Sequence, residues 1–97
     1  MIVAGIMSGT SLDGIDVALV DVGGRGFKVK KYWTVAYPAR VRRAILEAAS
    51  PAGIARLHFL LGELYAEAVR KGGARPDLVA CHGQTIHHEG APVEFLG

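Results

Sequence analysis

Apolar and polar positions in the first third of the chain predict three β-strands. Residues 2–7 form a short, continuously apolar run, which is typical of a strand buried on both faces. Residues 15–21 alternate, so that Ile15, Val17 and Leu19 share one face. Residues 27–37 alternate as well, and the glycine-rich residues 22–26 predict a turn before them. The three strands are therefore expected to form an antiparallel meander.

The third predicted strand has one apolar and one polar face. Its core-facing residues are expected to be Phe27, Val29, Trp33, Val35 and Tyr37. The opposite parity carries Lys28, Lys30 and Thr34. Lys31 and Tyr32 break the alternation, which is typical of a twist, a bulge or an edge position.

The spacing of apolar residues becomes helical after Pro38, a residue suited to the entry of a helix. Val41, Ile45 and Leu46 predict a short helix, which Pro51 interrupts. A longer helix is predicted from about residue 54 to residue 71. Its apolar stripe is Leu57, Leu60, Leu61, Leu64, Ala68 and Val69.

A fourth strand is predicted at residues 77–81. Because two helices precede it, it is expected to lie parallel to the first strand through a crossover connection. The resulting order, β-β-β-α-α-β, is typical of part of a larger α/β domain.

Composition and charge narrow the class of protein without selecting a ligand. The 97 residues are 51% hydrophobic and 21% charged, which suits one small soluble domain or part of a larger one. The formal charge of +2 predicts neither a nucleic-acid nor a membrane partner. A single cysteine, Cys81, allows no internal disulfide and is expected to be a small buried residue. With no secretory leader or bilayer-length apolar run visible, we expect a cytoplasmic protein.

The segment between the first two strands has a composition suited to phosphate. Residues 8–14 read Ser-Gly-Thr-Ser-Leu-Asp-Gly. Gly9 and Gly14 would allow positive φ or close approach to an anion, and successive N–H groups would form an anion-binding nest. Thr10 and Ser11 add neutral donors. An ordinary hairpin turn explains the same residues equally well.

Two carboxylates accompany this segment and would repel phosphate directly. Asp13 and Asp16 are therefore expected to act through Mg²⁺, water or the geometry of the loop. The segment is not a P-loop, because it lacks the Gly-Lys-Ser/Thr sequence and leads into a strand rather than a helix.

A second polar segment follows the fourth predicted strand. Residues 82–88 read His-Gly-Gln-Thr-Ile-His-His. Parallel strands would place this segment and the Ser8 loop at one edge of the sheet, where open α/β sheets bind ligands. Gln84 and Thr85 are suited to substrate hydroxyls, whereas the spacing matches no common zinc site. A polar surface loop is the alternative interpretation.

Seven of the eleven basic residues lie between Arg25 and Arg43, among aromatic residues. Single-stranded nucleic-acid sites combine these residue types. Solvent-facing lysines and core-facing aromatics on one strand explain the pattern more simply, so no nucleic-acid partner is expected.

Residues 5–21, GIMSGTSLDGIDVALVD, closely resemble the amino-terminal signature of the anhydro-N-acetylmuramic acid kinase family. HGQTIHH at residues 82–88 resembles the second signature of that family. The resemblance implies a partial ribonuclease-H-like lobe of the actin-like ATPase and sugar-kinase class. Residues 1–97 would be the amino-terminal part of lobe I, without the remainder of lobe I or lobe II. One departure is Glu89-Gly90, where the family pattern leads us to expect a proline.

The resemblance also implies a reaction and its participants. ATP, with Mg²⁺, would phosphorylate the 6-oxygen of 1,6-anhydro-N-acetylmuramic acid while water opens the anhydro ring, within peptidoglycan recycling. The residues expected at the nucleotide are Gly9, Thr10, Ser11, Leu12, Asp13, Gly14, Ile15 and Asp16. Asp13 or Asp16 would act on the metal, and Gln84 and Thr85 would lie near the sugar.

The resemblance places the family's catalytic aspartate beyond residue 97, so the chain alone is expected to be inactive. An unpaired sheet edge would promote association, and a homodimer is one possible result. The alternatives are another sugar kinase or phosphatase of the same fold, or a stand-alone nucleotide-binding or interaction module.

Overall fold

The order of elements is β-β-β-α-α-β, as predicted. A computed structural model describes residues 1–9, 12–86, 90–92 and 94–95. The elements are β1 (Ile2–Ser8), β2 (Gly14–Gly23), β3 (Gly26–Ala36), α1 (Ala39–Leu46), α2 (Pro51–Lys71) and β4 (Leu78–Gln84). Neither helix within the described ranges has the length and apolar character needed to cross a bilayer.

The four strands form one sheet in the order β3-β2-β1-β4. β1 pairs antiparallel with β2 and parallel with β4, and β2 pairs antiparallel with β3. Ser8, the last residue of β1, lies opposite Gln84, the last residue of β4. The prediction that both polar segments lie at the same edge of the sheet is confirmed, but the fourth strand ends at Gln84 rather than at residue 81, so His82, Gly83 and Gln84 belong to β4.

The core lies between the sheet and the two helices. Its most buried sheet residues are Ala4, Ile6, Ile15 and Val17. The helices contribute Val41, Ile45, Leu57, Leu61, Tyr65, Ala68 and Val69. Leu60, expected in the buried stripe, is 38% exposed. Its neighbour Leu61 faces the sheet, and one residue turns a helix by about 100°, so Leu60 falls on the flank of the stripe.

α2 begins one turn earlier than predicted, because Ser50 and Pro51 start the helix rather than merely separating two helices. The Ser50 side chain accepts a hydrogen bond from the Gly53 N–H at 3.0 Å. Pro51 occupies the first turn, where a missing N–H costs nothing.

Side chains of β3 contact the carboxyl end of α2. The Lys31 amine donates to the Gly72 carbonyl at 2.8 Å, and the Trp33 indole N–H donates to the Ala68 carbonyl at 2.8 Å. The Lys31 amine also lies 5.2 Å from the centre of the Trp33 ring. Helix-end carbonyls lack partners within the helix, so these donors explain why a lysine faces the helices.

The expectation that Phe27 and Val29 face the core is wrong. Leu19 pairs with Lys31 but Val20 pairs with Val29, so the register shifts at this point and Lys30 is an extra residue in β3. Directly opposed residues share a face, so the bulge moves Phe27 and Val29 to the side away from the helices. Phe27 is 75% exposed and Val29 is 54% exposed.

Candidate functional site

The candidate site lies where β1 and β4 end. The connection between β1 and β2 occupies residues 9–13, and Thr85 follows β4. Thr10, Ser11, His87 and His88 lie outside the described residues. The other predicted site residues have defined positions around this edge of the sheet.

Three polar side chains form a cluster beneath the edge, which we call the Ser8–Tyr37–Gln84 cluster. Ser8 is fully buried. Its hydroxyl lies 2.8 Å from the Tyr37 hydroxyl and 3.1 Å from the Gly14 carbonyl, and it hydrogen-bonds the Gln84 side-chain oxygen. The Tyr37 hydroxyl lies 3.1 Å from the same Gln84 oxygen.

Two hydroxyl protons serve these four contacts, so at most two of them are hydrogen bonds at one time. A chain in which Tyr37 donates to Ser8, and Ser8 donates to the Gln84 oxygen, leaves both hydroxyl protons bonded. This arrangement provides hydrogen-bond partners for the Ser8 hydroxyl, which would otherwise be costly to bury.

The Gln84 amide is engaged at both ends. Its nitrogen donates to the Gly9 carbonyl at 2.9 Å and to the Thr85 carbonyl at 2.8 Å. Its oxygen faces the two hydroxyls of the Ser8–Tyr37–Gln84 cluster. Carbonyls only accept hydrogen bonds, so these partners fix the orientation of the amide. Gln84 thereby connects β4 to the first residue of the loop.

Leu12 anchors the loop in the core. Its side chain is only 5% exposed, and its backbone adopts a positive φ of 56°. Its N–H donates to the Gly9 carbonyl at 3.3 Å. Leu12 therefore holds the loop in place from both sides, through its N–H bond to Gly9 and through its side chain in the core.

The two glycines that flank the loop have different roles. Of the two properties offered for them, positive φ or close approach, positive φ occurs at neither glycine, and Leu12 adopts it instead. A Cβ on Gly9 would meet no atom within 4 Å among the described residues outside its chain neighbours, so the backbone there is open to a ligand. A Cβ on Gly14 would lie 2.5 Å from the Val35 carbonyl oxygen, so Gly14 is required by the close approach of β2 and β3.

The acidic residues also divide. Asp13 is exposed, at a bend that forms the last residue of the loop. Asp16 lies in β2, where its carboxylate accepts a hydrogen bond from the Thr34 hydroxyl at 2.7 Å. Ile15 lies between the two aspartates in sequence and is almost fully buried, in the same core as Val17. Only Asp13 presents a carboxylate on the loop itself.

Thr85 is half-buried beside Gln84. Its hydroxyl makes no hydrogen bond within the part of the chain that the structure describes, so it can bond a ligand. Cys81, expected to be buried, is exposed because β4 is an edge strand. Among the described residues, no three His, Cys, Asp or Glu side chains converge on a point where a metal ion would bind.

A largely apolar groove of about 320 Å³ separates α2 from the end of β4. Leu57, Leu61 and Tyr65 line one side, and Gln84 and Ile86 line the other. The Tyr65 hydroxyl is buried but makes no hydrogen bond with any described residue. Burial, followed by the neighbouring Tyr37, raises the pKa of Tyr65 well above its ordinary value.

Sequence reasoning missed the roles of Ser8 and Tyr37. The sequence pattern assigns Ser8 to the loop and Tyr37 to the apolar face of the third predicted strand. A polar signal was present, because a serine ending a buried strand needs a partner inside the fold. The position of that partner depends on tertiary structure.

Comparisons with known proteins identify similar chains. The family model described as anhydro-N-acetylmuramic acid kinase matches residues 1–95. A protein of that name from Caldanaerobacter subterraneus subsp. tengcongensis is 42% identical over 99% of this chain. Proteins of the same name from Bacillus cereus (strain Q1) and Salinibacter ruber are 41% and 37% identical over 95% and 98% of it. The chain spans 28% of the length of each of these three relatives.

Proposed function

This chain belongs to the anhydro-N-acetylmuramic acid kinase family, and on that premise we propose that it is the amino-terminal part of lobe I of an ATP-dependent sugar kinase. The full-length enzyme would transfer the γ-phosphoryl group of ATP to the 6-oxygen of 1,6-anhydro-N-acetylmuramic acid. Water would open the anhydro ring, giving N-acetylmuramate 6-phosphate. The lobe would have the ribonuclease-H-like fold of actin-like ATPases, and the enzyme would act in cytoplasmic peptidoglycan recycling.

One observation carries the phosphate-binding part of this proposal. The loop at residues 9–13 begins at the same edge of the sheet at which Gln84 ends β4. The space that a Cβ on Gly9 would occupy is open among the described residues. Ligands of open α/β sheets bind beyond the carboxyl ends of strands such as β1 and β4. This position supports the proposal that an anion approaches the backbone of the loop.

The residues present fit a nucleotide with a magnesium ion. The backbone N–H groups that follow Gly9 would donate hydrogen bonds to phosphate oxygens, and the Thr10 and Ser11 hydroxyls would donate as well. Leu12 would hold the shape of the loop, while Gly14 and Ile15 keep β2 in place. Mg²⁺ commonly uses one or two carboxylates together with phosphates and water, so Asp13 alone is a sufficient protein partner.

Asp16 would act indirectly, through water or through its bond to Thr34, because its carboxylate lies on the strand. The bound Mg²⁺ would neutralise charge on the phosphates. Thr85, with a hydroxyl available beside the cluster, is the proposed contact for the sugar.

Phosphoryl transfer depends on several groups that position the reactants and stabilise charge together. The loop and Thr85 supply only some of them. We therefore expect phosphorylation from the full-length kinase and none from residues 1–97 alone.

The test is Gly9→Ala in the full-length kinase, assayed with ATP and the anhydro-sugar, with the product identified by mass spectrometry. A methyl group there clashes with no described neighbour but intrudes on the side open to a ligand. We expect the KM for ATP to rise about tenfold, which corresponds to about 1.4 kcal/mol of binding free energy.

Gly23→Ala is the matched control, because a Cβ on Gly23 also meets nothing within 4 Å and lies on the distant hairpin. Equal KM values for ATP in both variants would contradict the assignment of the loop. A wild-type enzyme that binds ATP but leaves the anhydro-sugar unchanged would contradict the proposed substrate.

A further inference from the structure

We propose that Gln84 is a positioning residue that holds the phosphate-facing loop in its binding conformation, rather than a ligand of the sugar. This role rests on the kinase function proposed above, since it concerns the same ATP site. A residue of the HGQTIHH segment, residues 82–88, would thereby shape the loop that lies within residues 5–21.

The Gln84 amide is committed to partners within the chain. Its nitrogen has two hydrogen atoms and two carbonyl partners, Gly9 and Thr85. Its oxygen accepts a hydrogen bond from the Ser8 hydroxyl and lies 3.1 Å from the Tyr37 hydroxyl. A sugar hydroxyl would have to displace one of them, and Ser8 is fully buried. Removing a partner from a buried polar group is costly, so the internal bonds are favoured.

The contact with Gly9 lies at the entrance to the loop. The Gly9 carbonyl accepts the Gln84 nitrogen at 2.9 Å and the Leu12 N–H at 3.3 Å. Because a peptide unit is planar, holding this carbonyl sets the orientation of the peptide with which the loop begins. Backbone N–H groups bind an anion only when they converge on it, so that orientation bears directly on phosphate affinity.

Glycine at this position would leave the loop free to rotate without the amide. Glycine, the residue at position 9, samples a wider range of φ than any other residue type. The open space that admits a ligand is therefore accompanied by conformational freedom, and Gln84 restricts that freedom from a strand 75 residues away in sequence. Restricting a loop before binding improves affinity because less order is lost on binding.

The test is Gln84→Glu in the full-length kinase. The substitution is nearly isosteric but directs a carboxylate oxygen at the Gly9 and Thr85 carbonyls. We expect the dissociation constant of a non-hydrolysable ATP analogue, measured by calorimetry, to rise about tenfold. The KM for the anhydro-sugar should stay within about twofold of wild type.

The pH dependence separates positioning from general damage to the fold. Once protonated, the introduced carboxyl can donate to the Gly9 carbonyl, so the loss of ATP affinity should be smaller near pH 6 than near pH 8. Tyr37→Phe removes the hydroxyl that donates to Ser8 but keeps both bonds of the Gln84 amide nitrogen. It should weaken ATP binding by only about threefold.

Gln84→Asn tests the same role if Gln84→Glu fails to fold. Its shorter side chain retains the amide but cannot reach Gly9 and Ser8 at the same time, so ATP affinity should again fall. Unchanged ATP affinity in a folded variant, or a raised KM for the sugar with normal ATP affinity, would overturn the proposal. Calorimetry reads ATP affinity even if the sugar proves not to be the substrate, so the two proposals fail separately.

Discussion

The replacement Gly14→Ala tests whether the loop is shaped by the packing of strands as well as by its own residues. A Cβ at Gly14 would lie 2.5 Å from the Val35 carbonyl oxygen and 3.0 Å from the Ala36 Cα. Both neighbours belong to the backbone of β3, so they cannot rotate away as a side chain would. β2 and β3 must separate where the loop ends and β2 begins.

The expected cost follows from two opposing terms. Overpacking a tight contact costs about 1–3 kcal/mol, and a contact with backbone belongs at the upper end of that range. Alanine recovers about 0.5–1 kcal/mol over glycine in a strand, because it loses less conformational entropy on folding. The net loss of stability is therefore about 2 kcal/mol.

Hydrogen exchange in the full-length protein measures this loss of stability locally. Amides of the Gly14–Ala36 end of the β2–β3 pair should exchange about thirtyfold faster in Gly14→Ala, since 1.4 kcal/mol corresponds to tenfold. Gly9→Ala, on the opposite side of the same loop, should leave them unchanged. Similar protection in Gly14→Ala and wild type would refute the view that β3 backbone, rather than ligand approach, requires glycine there.

Two further predictions concern the helix that covers the sheet. Lys31→Met removes the amine bonded to the Gly72 carbonyl at 2.8 Å and should destabilise the last turn of α2 by about 0.5–1.5 kcal/mol; hydrogen exchange should detect it. Lys28→Met is the matched control on the same strand, and equal effects of the two would refute a capping role. Tyr65→Phe removes a buried hydroxyl that has no partner among the described residues, so stability near neutral pH should be unchanged or higher by about 1 kcal/mol. Because burial raises the pKa of Tyr65 in the folded state above its ordinary value of 10.0, this tyrosine lowers stability as pH rises beyond that value. Tyr65→Phe should reduce that alkaline loss in urea unfolding; a clear loss of stability at neutral pH would show instead that the hydroxyl is bonded.

The order of elements was predictable because each element carries a local signal of its own. The apolar run of residues 2–7, the helical spacing after Pro38 and the two helices before β4 determine which elements exist and which strands are parallel. These signals need no knowledge of distant contacts. The meeting of the two polar segments at one edge then follows from topology alone.

The orientation of β3 was not predictable from alternation. Phe27 and Val29 have the same parity as Trp33, so they resemble one continuous apolar face. One extra residue, Lys30, inverts the relation between sequence position and face. A bulge is set by pairing with the neighbouring strand, and the lysine that follows it gave only a weak signal that the pattern was interrupted.

The chemistry of the candidate site shows a deeper limit of local reasoning. A glutamine in a polar segment suggests a ligand-binding residue, because its sequence neighbours offer no partner for the amide. In the fold its partners Ser8 and Gly9 lie 76 and 75 residues away. They become available only when β4 pairs with β1. The β1–β2 hairpin therefore contains the loop at residues 9–13, the proposed phosphate site, but not all of the hydrogen bonds that shape it. Formation of the proposed ATP site must wait for the crossover through both helices to close the sheet, which couples nucleotide affinity to the docking of β4.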